Sequence, residues 1–359
     1  MAAGTDWKTN GSSALSIAVP QPSSPPEKDK NSKIEAGDWV KLRTLARRDI
    51  DKFLVLVPEV LRDEDHAAIH KIRVASRRIE QVLNLLYPKP RPKYVRNVLR
   101  NANRCRRALG EIRNCDALIA LADEAIAGND GSSVGAWKAT KEYLQHRRTQ
   151  KAPAIFKKIG RIKFALPYLR LKYELDGDGD GSSFETRLEK GMARLGKSWD
   201  FNLVHRRLTL ALDRRWRTFE AAVEDSRLHP SEPVIHGVRI AAKRLRYLVE
   251  VFGSLEIAGS ADALAWLKDL QRSIGQWHDL EILEKMMSKA LTHRRYYHGR
   301  RALKAKIYEL ILVNRQIKRK SEAKFTEMTA KSLEYRKTSG WIANLLKPSG
   351  TVREVARAS

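Results

Sequence analysis

Cysteine is nearly absent: Cys105 and Cys115 are the only two in 359 residues, ten positions apart. That spacing matches neither a zinc site nor a redox dithiol, so free thiols in a cytoplasmic setting are expected. Long apolar runs are missing too. No stretch reaches about 18 consecutive apolar residues, and the N-terminus carries Pro, Ser and Gly where a secretory segment would be apolar, so neither a membrane span nor a signal peptide is expected. There is no phosphate-cradling GxxxxGK[ST] loop, no GxSxG elbow and no HExxH helix, which leaves the common nucleotide, hydrolase and zincin chemistries without their residues. Acids are in deficit: 69 Lys and Arg face 42 Asp and Glu, a net charge of +27 with a pI near 10.2. Such an excess points to a polyanion or an anionic surface as partner.

The excess is confined to part of the chain. Up to Gly37, Lys8, Lys28, Lys30 and Lys33 are offset by Asp6, Glu27, Asp29 and Glu35, so the whole surplus falls in the segment that reads as folded. Residues 1–36, with VPQPSSPPEKDKNSK, read as a disordered tail. From Asp38 onward the pattern is helix after helix, with hydrophobic residues at 42% of the chain, enough to build a core. Expected helices run over Asp38–Val57, Asp65–Tyr87, Lys93–Leu109, from near Asp116, and over Val134–Phe164. In the second half they run over Phe184–Asp225, through a second basic helix, and up to Ile274.

What is present in abundance is one basic helical motif, written twice. HKIRVASRRIEQVLNLLYP begins at His70 and HGVRIAAKRLRYLVEVFGS at His236, an ungapped offset of 166. His70 meets His236, Arg73 meets Arg239, Arg77 meets Lys243 and Arg78 meets Arg244. On a helix of about 100° per residue, His70, Arg73 and Arg77 fall within about 60° of one another, opposite Ile72, Ala75, Ile79, Val82, Leu83 and Leu86. His236, Arg239 and Lys243 repeat the split against Val238, Ala241, Leu245, Leu248, Val249 and Phe252. No acid enters either front between His70 and Arg78 or between His236 and Arg246. Unneutralised like charge on one face is destabilising, which predicts an anionic ligand rather than a plain solvated face.

A second pair of segments keeps nearly the same register. LGEIRNCDAL and IGQWHDLEIL align Gly110 with Gly275 at an offset of 165, bringing Arg107 onto Arg272, Arg113 onto His278, Asn114 onto Asp279 and Asp116 onto Glu281. Two independent segments agreeing on one spacing indicate an internal duplication. The halves are 37–175 and 184–346, separated by the acidic Gly-rich linker 176–183 and followed by a tail over 347–359. The linker, DGDGDGSS, imitates the start of a calcium loop at Asp176, Asp178, Asp180 and Gly181, but Arg187 stands where the bidentate Glu belongs. His66 and His70 have zinc spacing without a zincin Glu, and Glu232 replaces His66 in the second copy. No metal and no cofactor is expected.

These four segments, in this order and spacing, resemble the CHAD family, the conserved-histidine α-helical domain, over about Asp38 to Met328. The resemblance implies an all-α fold: two four-helix bundles related by a pseudo-twofold axis, with basic helices lining a shared groove or pore. It implies binding of inorganic polyphosphate and association with polyphosphate granules. Residue by residue it implies a ligand set of His70, Arg73, Arg77 and Arg78 with His236, Arg239, Lys243, Arg244 and Arg246. Two departures stand out: Glu80 occupies the site matching Arg246, and His278 replaces the Arg of the first Gly segment. Related domains are often fused to an enzyme marked by an ExExK strand, and this chain contains no Glu-x-Glu.

Polyphosphate has charge along a chain and no base edges, so its site needs charge-assisted donors in number: Arg forks, a Lys point charge and His. Secondary contacts are expected at Arg104, Arg107, Arg113, Lys268 and Arg272, which flank the Gly segments. Arg207, Arg214, Arg300, Arg301, Lys304 and the KRK run from Lys318 are further candidates for binding. Trp266, Trp277, Tyr296 and Tyr297 suit a core better than base stacking. A nucleic-acid binder is the alternative reading, although no recognition helix, RNP motif or zinc finger is evident. Asp116, Asp279 and Glu281 are the acids a metal-dependent polyphosphate enzyme would use, but helix capping after the Gly segments explains them equally well. A binding protein without catalysis is therefore expected. Oligomerisation is not required, since the duplication supplies the pseudo-dyad.

Overall fold

The computed structural model describes residues 36–63, 65–87, 89–128, 131, 133–176, 201–229, 231–257, 259–293 and 300–338, without the side chains of 36–39, 63, 201–206 and 331–338. The linker after Asp176, both tails, Tyr296 and Tyr297 lie outside them. Among the described residues the fold is all-α with ten helices and no strand. They are α1 Ala36–Asp63, α2 His66–Leu86, α3 Lys93–Ala108, α4 Gly110–Ala127, α5 Val134–Gly160, α6 Ala165–Asp176, α7 Phe201–Leu228, α8 Glu232–Ser254, α9 Ser260–Thr292 and α10 Arg301–Thr338.

The two basic motifs form α2 and α8. Asp65 caps α2, its carboxylate accepting from the Ala68 amide at 2.9 Å, and this bond holds the carboxyl below its ordinary pKa. α8 starts with a proline in its first turn, where the missing amide donor has no partner to lose. Every apolar position expected on the back of either helix is buried. α1 pairs with α2, α7 with α8, α8 with α9, α4 with α5, and α9 with α10, while α2 also packs on α8.

Two features differ from the sequence expectation. Only the first glycine segment lies at a junction between helices. Gly110 opens α4 immediately after Leu109, and Gly275 lies inside the 33-residue α9. One interior glycine costs a helix about 1 kcal/mol relative to alanine, too little to break one anchored on both sides by buried Leu270, Ile274 and Trp277. Consequently Asp116, Asp279 and Glu281 sit within helices and are not N-caps. α1 also runs six residues past Val57, through Pro58, to Asp63.

The apolar cores do not follow the linker. The larger combines α1, α2, α3 and α6 with α7, α8 and the first half of α9. The smaller joins α4 and the start of α5 to the end of α9 and α10. Trp277 is buried in the larger core and Trp266 packs against it, beside Trp216 at 6.2 Å between centroids. Cys105 and Cys115 are buried free thiols, and burial pushes the first up to about 12 and the second to about 11.

Buried Asp116 is held by Arg148, whose Nε donates to Oδ1 at 2.7 Å, so this acid is a bridge between α4 and α5. Replacing Arg148 with Met should strand a buried carboxylate and lower stability by about 3 kcal/mol. Urea unfolding at neutral pH measures this, and an unchanged midpoint would show that the bridge contributes nothing.

Candidate anion-binding site

α2 and α8 meet at their basic motifs, and the contact is made by residues of both copies. The Arg77 guanidinium donates from Nη1 to the Tyr247 hydroxyl at 3.2 Å and lies 5.7 Å from that ring's centroid. Arg246 stacks on the same ring at 4.8 Å. Arg78 Nε donates to Glu250 at 3.1 Å, and Arg246 lies 3.5 Å from the other oxygen of Glu250. Subtracting the offset of 166 places Tyr247 on Gln81 and Glu250 on Asn84. The halves are thus joined by positions at which the repeat is broken.

Beyond Tyr247 the cations gather. Arg73 donates from Nη1 to the carbonyl of Arg106, at the end of α3, and packs against Gly110, where a Cβ would lie 3.7 Å from that nitrogen. Burial lowers the Arg73 guanidinium to about 10, assisted by Arg77, Arg113 and Arg106. Arg239 is likewise lowered to about 10 by burial, with Arg77 and Arg113 adding to the effect against Asp279. Lys243 is depressed furthest, to about 6, by burial first and then by Arg239, Arg77 and Arg73. Cations from the two halves therefore feel one another directly: Arg73, Arg77 and Arg113 from one, Arg239 and Lys243 from the other.

The histidines flank this cluster. His70 is exposed and lies by Arg113, Arg77 and Arg73. His236 is half-buried beside Arg239 and Lys243. Partial shielding from water, then these charges, hold both rings below their ordinary pKa. His278 is 5.3 Å from His236, ring to ring, and falls to about 3. Each ring is neutral at pH 7 in the free protein.

Partial burial without a carboxylate in contact sets this cluster apart from the ion-paired cations around it. Arg78, Arg106, Arg147, Arg148, Lys285 and Lys318 each have a carboxylate partner. Among the described residues, Arg73, Arg77, Arg113, Arg239 and Lys243 have none in ion-pair contact, and the buried Nε of Arg239 has no hydrogen-bond partner. Asp279 is the acid that enters the cluster; burial raises its pKa against the pull of Arg239, Arg113 and Lys243. Among the described residues no group of three His, Cys, Asp or Glu could hold a metal ion, and no helix is long and apolar enough to cross a membrane.

The model of the CHAD domain matches residues 44–288. The chain belongs to the CHAD family. Among solved structures, the CHAD domain from the plant Ricinus communis is similar at 16% identity, over 86% of this chain and 91% of that one, with a TM-score of 0.48. PptA from Streptomyces chartreusis is similar at 13% identity, over 81% and 98%, with a TM-score of 0.52, a likeness of fold. Among curated proteins none matches.

Of the ligand set that the CHAD resemblance implies, the fold brings together His70, Arg73 and Arg77 with His236, Arg239 and Lys243, and adds Arg113. Arg246 borders the group through Tyr247. Arg78 turns away to Glu250, lining a separate cavity of about 400 Å³ with Asp49, Arg48 and Ser254. Arg244 is exposed beside Arg215. Arg107, Lys268 and Lys304 are exposed, and Arg272 is exposed with Asp269 at 3.2 Å. Tyr247 and Glu250 were not singled out from the sequence. Their signal was available as positions at which the copies differ, Gln81 against Tyr247 and Asn84 against Glu250.

Proposed function

We propose that this CHAD protein binds inorganic polyphosphate, without transforming it, in the cluster formed by Arg73, Arg77, Arg113, Arg239 and Lys243, with His70 and His236 at its margins. The observation that carries the reading is a group of cationic side chains, partly removed from water, with no carboxylate in ion-pair contact and Asp279 entering among them. Such a group is unfavourable in the free protein, and an anion of high charge density offsets both the repulsion and the desolvation. Arg113 and the two helix motifs offer guanidinium forks for paired phosphate oxygens, and Lys243 supplies a point charge between them. The CHAD resemblance supplies the polymer, and polyphosphate granules are where such a site would place the protein.

Competition tests the choice of polymer. Long-chain polyphosphate should displace labelled DNA or RNA at much lower phosphate concentration than the reverse exchange requires. Displacement in the opposite direction would favour nucleic acid as the ligand. Incubation with Mg²⁺ or Mn²⁺ should leave the chain-length distribution of polyphosphate unchanged; shortening or growth would make the protein an enzyme.

A further inference from the structure

The sequence of α3 holds six cations and no acid. Its buried side is Val95, Val98, Asn101, Ala102 and Cys105. At about 100° per residue, Lys93, Arg96, Arg100, Arg104 and Arg107 share an arc of about 80° on the opposite side. All five are exposed, and none has a carboxylate partner among the described residues. Helix stability does not account for this stripe. Arg96, Arg100 and Arg104 are spaced i, i+4, where like charges repel, and Lys93 and Arg96 oppose the macrodipole from the first turn.

Neighbouring chain extends the charge. Asn101 donates to the carbonyl of Lys163 at 2.9 Å, which sets the α5–α6 connection, with exposed Arg161 and Lys163, against the middle of α3. Glu174, the acid facing Tyr94, is already engaged by that hydroxyl and by Arg170. At its other end α3 reaches the cluster, because the Arg106 carbonyl accepts from Arg73. The stripe therefore starts at the proposed site and leads away from it for about 21 Å, at 1.5 Å per residue.

We propose that the outer face of α3 is a second phosphate-binding track, continuous with the cluster, which holds the part of a long polyphosphate chain that the cluster cannot contain. This rests on the polyphosphate reading and adds a length preference to it. A short anion fills the cluster alone. A long chain anchored there meets the stripe at high effective concentration, so weak contacts at each Arg accumulate.

The test compares tripolyphosphate with long-chain polyphosphate on the unmodified protein and on the triple variant Lys93→Ala, Arg96→Ala, Arg100→Ala. These positions are exposed, so the variant should fold normally. The unmodified protein should bind the long chain more tightly. In the variant its log K against log salt slope should shrink by about 2, at about 0.7 per lost contact on a single strand, with tripolyphosphate unchanged. An unchanged slope for the long chain, or equal losses for both anions, would overturn the track. So would a loss confined to an oligonucleotide, which would make the stripe a nucleic-acid contact. If the unmodified protein bound neither phosphate chain, the polyphosphate reading itself would fall, and the track with it.

Discussion

The double variant Arg73→Ala, Arg239→Ala should lose polyphosphate affinity by at least about a hundredfold while its far-UV circular dichroism stays helical. Each guanidinium makes charge-assisted bonds of about 1.5–3 kcal/mol to an anion, so either single change should cost about tenfold or more. Neither residue is in ion-pair contact with a carboxylate, Asp279 attracts Arg239 alone of the two, and each is crowded by other cations. Truncation therefore relieves repulsion within the fold, and the loss should appear in binding and not in stability. The one native hydrogen bond removed is that from Arg73 to the Arg106 carbonyl. Because both residues act on the same anion, the two losses should be non-additive. Retained affinity in the double variant would remove this face from the site.

Lys243 should make binding proton-linked. Its ammonium is held to about 6 in the free protein, so at neutral pH it is largely uncharged. A polyanion alongside favours the charged form, and the complex takes up a proton that the free protein lacks. The affinity should thus fall as pH rises above about 6, and this group should add no pH dependence below that value. Calorimetry in buffers of different ionisation enthalpy reads the uptake directly. The same shift bears on folding with a definite sign. Between about 6 and the unfolded value of about 10.4, the unfolded chain holds more protons than the native one, so the stability of the free protein should rise with pH across that window. Lys243→Met should flatten the rise, increase stability at neutral pH and weaken polyphosphate binding together. A methionine variant that binds with undiminished affinity and proton uptake would assign the titration to another group. His70 and His236, also held below their ordinary pKa, should add uptake in the same direction.

The helical fold and the cationic front were legible because both obey the 3.6-residue period. Ile72, Ile79, Val82, Val238, Leu245 and Phe252 are buried where that period places them, and His70, Arg73 and Arg77 share the other side. What the sequence concealed depends on relations between helices. Gly275 reads as a turn by analogy with Gly110, yet packing of Ile274 and Trp277 carries α9 straight through it. Arg78 enters the ligand set through the CHAD resemblance, but one residue beyond Arg77 rotates it by about 100°, toward Glu250. Matching the copies drew attention to what they share. Tyr247 and Glu250, which bind one copy to the other, lie where the copies differ, and Asp279 enters the cluster from a helix that the motif does not include.

The central claim is that both halves serve one site, and the stoichiometry of tripolyphosphate binding tests it most directly. Isothermal titration should give a single anion per chain, with Arg73→Ala and Arg239→Ala each weakening that same event. Two independent anions per chain, each abolished by only one of the substitutions, would contradict it.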